Sequence, residues 1–202
     1  MANPTEAAWT ALKRCVRYLI GKPRMVTVYR RQRPTNGIMG MSDSDWAGCT
    51  KQRKSSSCML VMHGRHLLVA SSSTQQVVAL SSAEAEYYAL VKCASRTLGV
   101  LAMAVDLGFP NLRGIIKTDS SGAKGIAQRR GAGRVRHIEC HTLWLQDQLF
   151  RKKLKLFKVD GKTNPADVGT KYLTAADYDR ILTDLGIEQR SGRSKLALRA
   201  AI

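Results

Sequence analysis

Acidic side chains are scarce in this sequence, so their positions carry information about possible chemistry. The chain has 15 Asp and Glu residues against 33 Lys and Arg residues. Asp43 and Asp45 end an apolar stretch that begins at Ile38, and Asp119 follows a second such stretch that begins at Arg113. Neighbouring strands of a sheet lie about 4.8 Å apart. If these two stretches are neighbouring strands, the carboxylates of Asp43 and Asp119 therefore lie close together.

Further acidic residues stand where helices are predicted to begin. Glu84 and Glu86 lie in the first turns of a long helix, and Ser81 marks its start as the first residue of a capping box. Asp167 lies in the first turn of a helix that the Asn164–Pro165 pair opens, with Asn as N-cap and Pro at the first position. Of the seven acidic residues before residue 130, five thus lie at strand ends or in the first turns of the long helix.

Each of these residues also has a purely structural explanation when it is taken singly. Asp45 could form a turn, and Glu84 could be only the acid of the capping box. Asp119 could cap the helix that follows it, and Asp167 could interact favourably with a helix dipole. The functional interpretation depends on these residues occurring together.

Carboxylates that share one site predict a metal-dependent chemistry. They repel one another unless a cation lies between them, and hard cations such as Mg²⁺ prefer oxygen ligands. A pair of such ions about 3.5–4 Å apart can activate a water and stabilise the leaving oxygen of a phosphodiester. The acidic set in a basic chain therefore predicts phosphodiester hydrolysis.

Composition narrows the class of protein. The formal net charge of +18 favours a polyanionic partner, which is usually nucleic acid. The five cysteines include no CxxC pair, so neither a disulfide framework nor a Cys-based zinc site is expected. No apolar run approaches the roughly 20 residues of a membrane span, and the first residues do not resemble a secretory signal. We therefore expect a reduced, intracellular protein that lies in a cytoplasmic particle or in the nucleus.

Hydrophobic periodicity and turn residues predict an N-terminal helix, then the main elements in the order β-β-β-α-β-α-α-β-α. The predicted helices are residues 7–20, 81–107, 120–128, 137–153 and 174–186, and the predicted strands are residues 25–29, 38–43, 55–62, 66–71, 113–118 and 154–159. From Gln189 onward the chain is basic and is expected to be a tail. A strand meander followed by alternating helices and strands predicts an α/β fold, with a mixed sheet flanked by helices.

Six motifs between residues 38 and 173 carry a resemblance to a known family. They are MSDSDWAGC at residues 41–49, RKSSS at 53–57, VALSSAEAEYYAL at 78–90, KTDSSGA at 117–123, RVRHIECH at 134–141 and NPADVGTK at 164–171. In this order and spacing they resemble the ribonuclease H domain of copia-type retrotransposon Pol polyproteins. The resemblance implies a ribonuclease H-like fold with a mixed five-stranded sheet. It also implies three segments: residues 1–36 similar to the tail of a reverse transcriptase, a ribonuclease H-like domain at 37–173, and a C-terminal helix and basic tail at 174–202.

The same resemblance implies an activity and a set of site residues. The expected activity is hydrolysis of the RNA strand of RNA–DNA hybrids during reverse transcription. The family's four catalytic acids correspond to Asp43, Glu86, Asp119 and Asp167, which are expected to hold two Mg²⁺ or Mn²⁺ ions. Asp43 is best placed to bridge both ions. The expected partners are the hybrid and the reverse transcriptase portion of the same polyprotein, with no membrane and no small-molecule cofactor.

Two basic loops are candidates for binding the phosphates of the hybrid. The predicted nucleic-acid-binding residues are Lys51, Arg53, Lys54, Ser55, Arg129, Arg130, Arg134 and Arg136. His137 and His141 have the spacing of metal ligands on a helix, but no HExxH-type glutamate accompanies them. We expect these two histidines to pack or to contact RNA instead.

Two other functions are compatible with parts of the pattern. Because transposon copies decay, the chain could be a catalytically inactive remnant that still binds hybrids. A DDE-type integrase shares the general fold, but its final acid is a Glu, whereas Glu86 comes second here. Cleavage of a labelled hybrid in the presence of Mg²⁺ distinguishes these alternatives.

Overall fold

The computed structural model describes residues 5–192 and Ser194. The helices are α1 (Glu6–Gly21), α2 (Ser82–Asp106), α3 (Ser121–Gln128), α4 (Trp144–Phe150) and α5 (Ala175–Asp184). The strands are β1 (Met25–Thr27), β2 (Gly37–Asp45), β3 (Ser56–His63), β4 (His66–Thr74), β5 (Arg113–Thr118), β6 (Leu154–Lys158) and β7 (Ile187–Gln189). Three 3-10 turns lie at Cys140–Leu143, Gly161–Thr163 and Pro165–Gly169.

A mixed five-stranded sheet forms the centre of the molecule, with the strand order β4-β3-β2-β5-β6. The strands β2, β3 and β4 form an antiparallel meander, whereas β5 and β6 run parallel to β2. Parallel strands need crossover connections, and α2 and α3 with α4 supply them. The predicted fold class is therefore confirmed: the order and directions of the strands are those of a ribonuclease H-like sheet.

Helix α2 covers one face of this sheet and supplies much of the core. Its buried residues include Ala85, Ala89, Leu90 and Cys93, which are 0% exposed. Full burial of a side chain such as Leu90 stabilises the fold by about 1.5–3 kcal/mol. The helix approaches β2 closely at Gly40, where a Cβ atom would lie 2.4–2.5 Å from side-chain atoms of α2. By length and apolar composition alone α2 could cross a membrane, but here it is the core helix of the sheet.

The opposite face of the sheet is covered by α5 and the turn Pro165–Gly169. Ile181 of α5 and Leu185, the residue that follows α5, pack with Met41 of β2 and Leu60 of β3. Ala166 of the turn is fully buried in the same cluster. This packing holds the turn beneath the end of β2, which is where the acidic residues lie.

The N-terminal and C-terminal segments contact each other. Strand β1 pairs antiparallel with β7, a strand that the sequence did not predict. The hydroxyls of Tyr18 and Tyr178 lie 2.6 Å apart, and Lys22 forms a 3.2 Å ion pair with Asp179. The first residue of the predicted basic tail, Gln189, is therefore the last residue of β7. Residues 193 and 195–202 of this tail lie outside the described part of the chain.

The single helix predicted for residues 137–153 is wrong. His137–Glu139 are not helical, Cys140–Leu143 form a 3-10 turn, and α4 covers only Trp144–Phe150. Thr142 donates its hydroxyl to the carbonyl of Glu139, which is a side-chain-to-backbone bond that competes with helix formation. Lys152 has a φ of 57°, a left-handed conformation that ends the helical segment.

Candidate metal centre and nucleic-acid surface

Asp43 lies near the end of β2 and is only 1% exposed. Its carboxylate accepts a hydrogen bond from the hydroxyl of Thr170. The carbonyl of the preceding residue, Ser42, accepts a 2.9 Å bond from the side-chain amide of Asn164. The strand that carries Asp43 is therefore tied directly to the turn that carries Asp167.

Asp119 follows β5, the parallel neighbour of β2. The register pairs Met41 with Lys117, so Asp43 and Asp119 extend from the same edge of the sheet. Asp119 is not the helix cap that its position also allowed. Ser120 is the N-cap of α3, and its hydroxyl accepts a 3.1 Å bond from the backbone N–H of Ala123.

Asp167 lies in the turn Pro165–Gly169, which begins as the sequence predicted. Asn164 is its N-cap and accepts a 3.2 Å bond from the backbone N–H of Ala166, and Pro165 occupies the first position. The carboxylate of Asp167 forms a 2.7 Å ion pair with Lys171. The turn thus presents Asp167 toward the ends of β2 and β5.

These three residues form one acidic cluster. Asp43, Asp119 and Asp167 each offer a carboxylate oxygen, and the three oxygens lie within 4.8 Å of one another. Three elements that are distant in sequence therefore bring their ligand atoms to a single point.

Glu86 borders this cluster from the first turns of α2. One carboxylate oxygen accepts a 3.2 Å bond from the backbone N–H of Ser44. The other oxygen, Oε2, is buried and has no hydrogen-bond partner in the described part of the chain. A buried acceptor without a partner is unfavourable, so Glu86 is a carboxylate to which a further ligand can bind.

Burial and mutual repulsion disturb the titration of the cluster. Burial, followed by the negative charges of Asp43 and Asp119, raises the pKa of Glu86 to about 8. Burial and the charge of Asp43 also raise the pKa of Asp119. Burial likewise raises the pKa of Asp167, although its bond to Lys171 opposes this shift. The cluster is therefore short of positive charge.

Lys171 is the cation that partly compensates the cluster, and sequence reasoning did not assign it a role. Its Nζ atom lies 2.7 Å from Oδ1 of Asp167 and 3.5 Å from Oδ1 of Asp43. Its spacing of four residues from Asp167 was a usable signal, because oppositely charged residues at that spacing meet on a helical turn.

Glu84 has a structural environment that differs from a simple capping box. Ser81 does accept a 3.2 Å bond from the backbone N–H of Glu84. The carboxylate of Glu84, however, accepts from the backbone of Leu80, from the hydroxyl of Tyr88 and, at 2.7 Å, from His137. His137 makes this contact although its side chain is 42% exposed, and His141 lies on the surface beside Glu139. That these histidines pack or contact RNA stays a prediction.

The predicted nucleic-acid-binding residues all lie on two separate loops, but they differ in exposure. Lys51 and Arg53 are exposed in the loop that precedes β3, and Arg130, Arg134 and Arg136 are exposed in the loop that follows α3. Lys54 and Arg129 are half-buried. Ser55 is 0% exposed, and its hydroxyl accepts a 3.0 Å bond from the backbone N–H of Ala47. Ser55 therefore has a structural role instead of the predicted surface contact.

Comparisons with known proteins give several relatives, and three of them are retrovirus-related Pol polyproteins from transposons. The retrovirus-related Pol polyprotein from transposon RE2 of Arabidopsis thaliana is 29% identical over 189 residues, which are 93% of this chain and 13% of that protein. The corresponding polyprotein from transposon TNT 1-94 of Nicotiana tabacum is 28% identical over 180 residues, or 89% of this chain and 13% of that protein. The chain thus spans about an eighth of the length of these relatives. No protein-family model matches it.

Among solved structures, the chain is similar to LC11-RNase H1, isolated from compost. The identity is 16%, the TM-score is 0.46, and the match covers 73% of this chain and 99% of that one. The order of the strands, and not this distant similarity, establishes the fold. The chain is thus similar to one part of copia-type, retrovirus-related Pol polyproteins.

Proposed function

We propose that this chain is a metal-dependent nuclease of the ribonuclease H type, which hydrolyses the RNA strand of RNA–DNA hybrids. One observation carries the proposal: Asp43, Asp119 and Asp167 bring carboxylate oxygens within 4.8 Å of one another at the edge of a ribonuclease H-like sheet. Acidic residues that serve only as caps or surface charges have no reason to converge in this way. Helix capping does not explain the position of Asp119 either, because Ser120 is the N-cap of α3.

The residues present fit a divalent metal ion. The donors are all carboxylate oxygens, which Mg²⁺ and Mn²⁺ prefer. Oε2 of Glu86 is a buried acceptor without a partner among the described residues, and a bound cation supplies one. We propose that Asp43, Glu86, Asp119 and Asp167 hold two Mg²⁺ or Mn²⁺ ions. Such ions, when bound, activate a water and stabilise charge on the leaving oxygen.

The chain's own residues prepare this site before the substrate arrives. The backbone N–H of Ser44 orients one oxygen of Glu86, and Asn164 ties the turn of Asp167 to β2. Because the pKa of Glu86 is about 8, its carboxyl group is largely protonated at neutral pH as long as no metal ion is bound. Glu86 would lose this proton when a divalent cation is held, because its charged form is favoured beside an opposite charge.

The basic loops are proposed to hold the hybrid against this site. Lys51 and Arg53 before β3, with Arg130, Arg134 and Arg136 after α3, are exposed cations suited to phosphates. Contacts with 2′-hydroxyls distinguish the RNA strand from DNA. In the polyprotein context that the relatives indicate, the activity removes the RNA template during reverse transcription. The proposed protein partner is then the reverse transcriptase portion of the same polyprotein. The proposed location is intracellular.

A cleavage assay with a labelled strand tests the proposal. The substrates are an RNA–DNA hybrid, duplex RNA and duplex DNA of one sequence, each with Mg²⁺, Mn²⁺ or EDTA. We expect cleavage of the RNA strand of the hybrid alone, and only with metal. Binding of the hybrid without cleavage would support the inactive remnant, and cleavage of duplex DNA would favour an integrase-type activity.

A further inference from the structure

Lys171 places a positive charge where the proposed function places a metal ion. Its ammonium group lies 2.7 Å from Asp167 and 3.5 Å from Asp43. In the described part of the chain, no other lysine or arginine forms an ion pair with either of these two carboxylates. The lysine therefore contacts two of the four residues assigned to the metal.

The charge of Lys171 compensates the negative charge of Asp43 and Asp167 while no metal ion is bound there. Asp43 is 1% exposed, and a buried carboxylate without a counter-charge is strongly destabilising. Oδ2 of Asp43 is bonded to Thr170, whereas Oδ1 faces Lys171. A metal ion that binds Asp43 and Asp167 takes over this compensation, and the two cations then repel each other.

The backbone around Lys171 allows the side chain to leave without disturbing the site. The backbone N–H groups of Thr170 and Lys171 both donate to the carbonyl of Asp167, at 3.2 and 3.0 Å, which holds the turn closed. The lysine side chain is 44% exposed, and the next residue, Tyr172, is fully exposed. The ammonium group can therefore swing into solvent on its flexible stem while Asp167 stays in place.

We propose that Lys171 is a built-in counter-cation, which occupies the metal position between Asp43 and Asp167 and must be displaced before a divalent ion binds. The proposal rests on the proposed function, because it takes the acidic cluster to be the metal site. It makes Lys171 a competitor of the metal: the lysine stabilises the metal-free protein and lowers its metal affinity by the same contact.

Calorimetric titration with MnCl2, together with thermal unfolding in EDTA, tests this competition. The variants are Lys171→Met and a matched control, Lys162→Met, which removes an equal charge. Lys162 is exposed in the neighbouring turn Gly161–Thr163 and forms no ion pair in the described part of the chain. We expect Lys171→Met to bind Mn²⁺ at least about fivefold more tightly than the wild type, at the low end of typical coupling between two ligands. In EDTA the same variant should unfold at a lower temperature, and the control should change neither quantity.

The possible outcomes separate this proposal from the proposed function. If the wild type binds Mn²⁺ and Lys171→Met binds it with the same affinity, or if Lys162→Met gives an equal gain, the competition is refuted while the metal site stands. If only Lys171→Met binds Mn²⁺, the lysine blocks the site and the proposal holds in its strongest form. If none of the proteins binds Mn²⁺, both the competition and the metal site are refuted.

Discussion

Glu84 and Glu86 lie two residues apart in α2 and are both buried, yet their surroundings are opposite. The carboxylate of Glu84 accepts hydrogen bonds from Leu80, Tyr88 and His137. The carboxylate of Glu86 accepts one bond, from the backbone of β2, and its second oxygen has no partner among the described residues. Both oxygens of the Glu84 carboxylate therefore have hydrogen-bond partners within the fold, whereas one oxygen of Glu86 gains a partner only when a ligand binds.

This difference separates a structural acid from a functional one. Glu84 joins the start of α2 to His137, at the end of the basic loop that follows α3, so its bonds hold two parts of the fold together. Glu86 faces Asp43 and Asp119, whose charges help to raise its pKa. A buried carboxylate among other carboxylates lowers stability, and such an arrangement is typical of sites in which a ligand compensates the charge. The same substitution, Glu to Gln, should therefore have opposite effects on activity and on stability at the two positions.

Activity gives the largest expected difference between the two residues. Glu86→Gln should lower cleavage of the hybrid by about a thousandfold or more, because the metal it helps to hold supplies several kcal/mol of stabilisation to the transition state. Single-turnover cleavage of a labelled hybrid at saturating Mg²⁺ measures this loss. Glu84→Gln is the matched control, and its folded fraction should retain metal-dependent cleavage. Full activity of Glu86→Gln would remove Glu86 from the site.

Stability should respond in the opposite sense. Glu84→Gln replaces a carboxylate that accepts from three donors, so one donor is left facing an amide N–H₂ group. We expect the free energy of unfolding to fall by about 3 kcal/mol, as when one partner of a buried pair is removed. Urea unfolding in EDTA measures it. Glu86→Gln should leave the stability of the metal-free protein unchanged or higher, and an equal loss in both variants would contradict the comparison.

The pH dependence of stability sharpens the same contrast. The pKa of Glu86 is about 8 in the folded protein, against about 4.3 for an unfolded Glu. The folded state therefore binds the extra proton, and its stability falls as pH rises toward 8. We expect a loss of about 2 kcal/mol between pH 6 and pH 8 in EDTA. Glu86→Gln should remove most of this slope, and saturating Mn²⁺ should remove it in the wild type, since the metal binds the charged form.

The smallest expected effect concerns the loop that Glu84 anchors through His137. Arg134→Ala and Arg136→Ala should each weaken hybrid binding moderately and reduce the slope of log affinity against log salt by about 1. Fluorescence anisotropy at several salt concentrations measures both quantities. Lys155→Ala, on β6, provides a control of equal charge. An unchanged slope in both arginine variants would place the hybrid elsewhere.

Much of the fold was predictable because the signals are local. The capping serine at residue 81 and the apolar periodicity that follows it are properties of adjacent residues, and α2 begins and ends close to the predicted bounds. The proximity of Asp43 and Asp119 depended on one assumption, that β2 and β5 are neighbours, which the strand order confirms. The assignment of these acids to catalysis remains a prediction.

The features that could not be predicted depend on contacts between distant residues. Strand β7 has only three residues and exists because β1, far away in sequence, pairs with it. The bond between His137 and Glu84 spans 53 positions, and residues 137–139 are not helical although a helix was predicted there. The role of Lys171 depends on Asp43, which lies on another strand, as well as on Asp167, which is four residues away.

The location of a bound metal ion tests the central claim most directly. Crystals of the wild-type protein soaked in MnCl2 should show anomalous scattering from Mn²⁺ within coordination distance of Asp43, Asp119 and Asp167, with Glu86 as a further ligand and the side chain of Lys171 moved away. An anomalous signal only at another place, such as His141 and Glu139 on the surface, or none at all, would contradict the assignment of these four carboxylates to a metal-dependent nuclease.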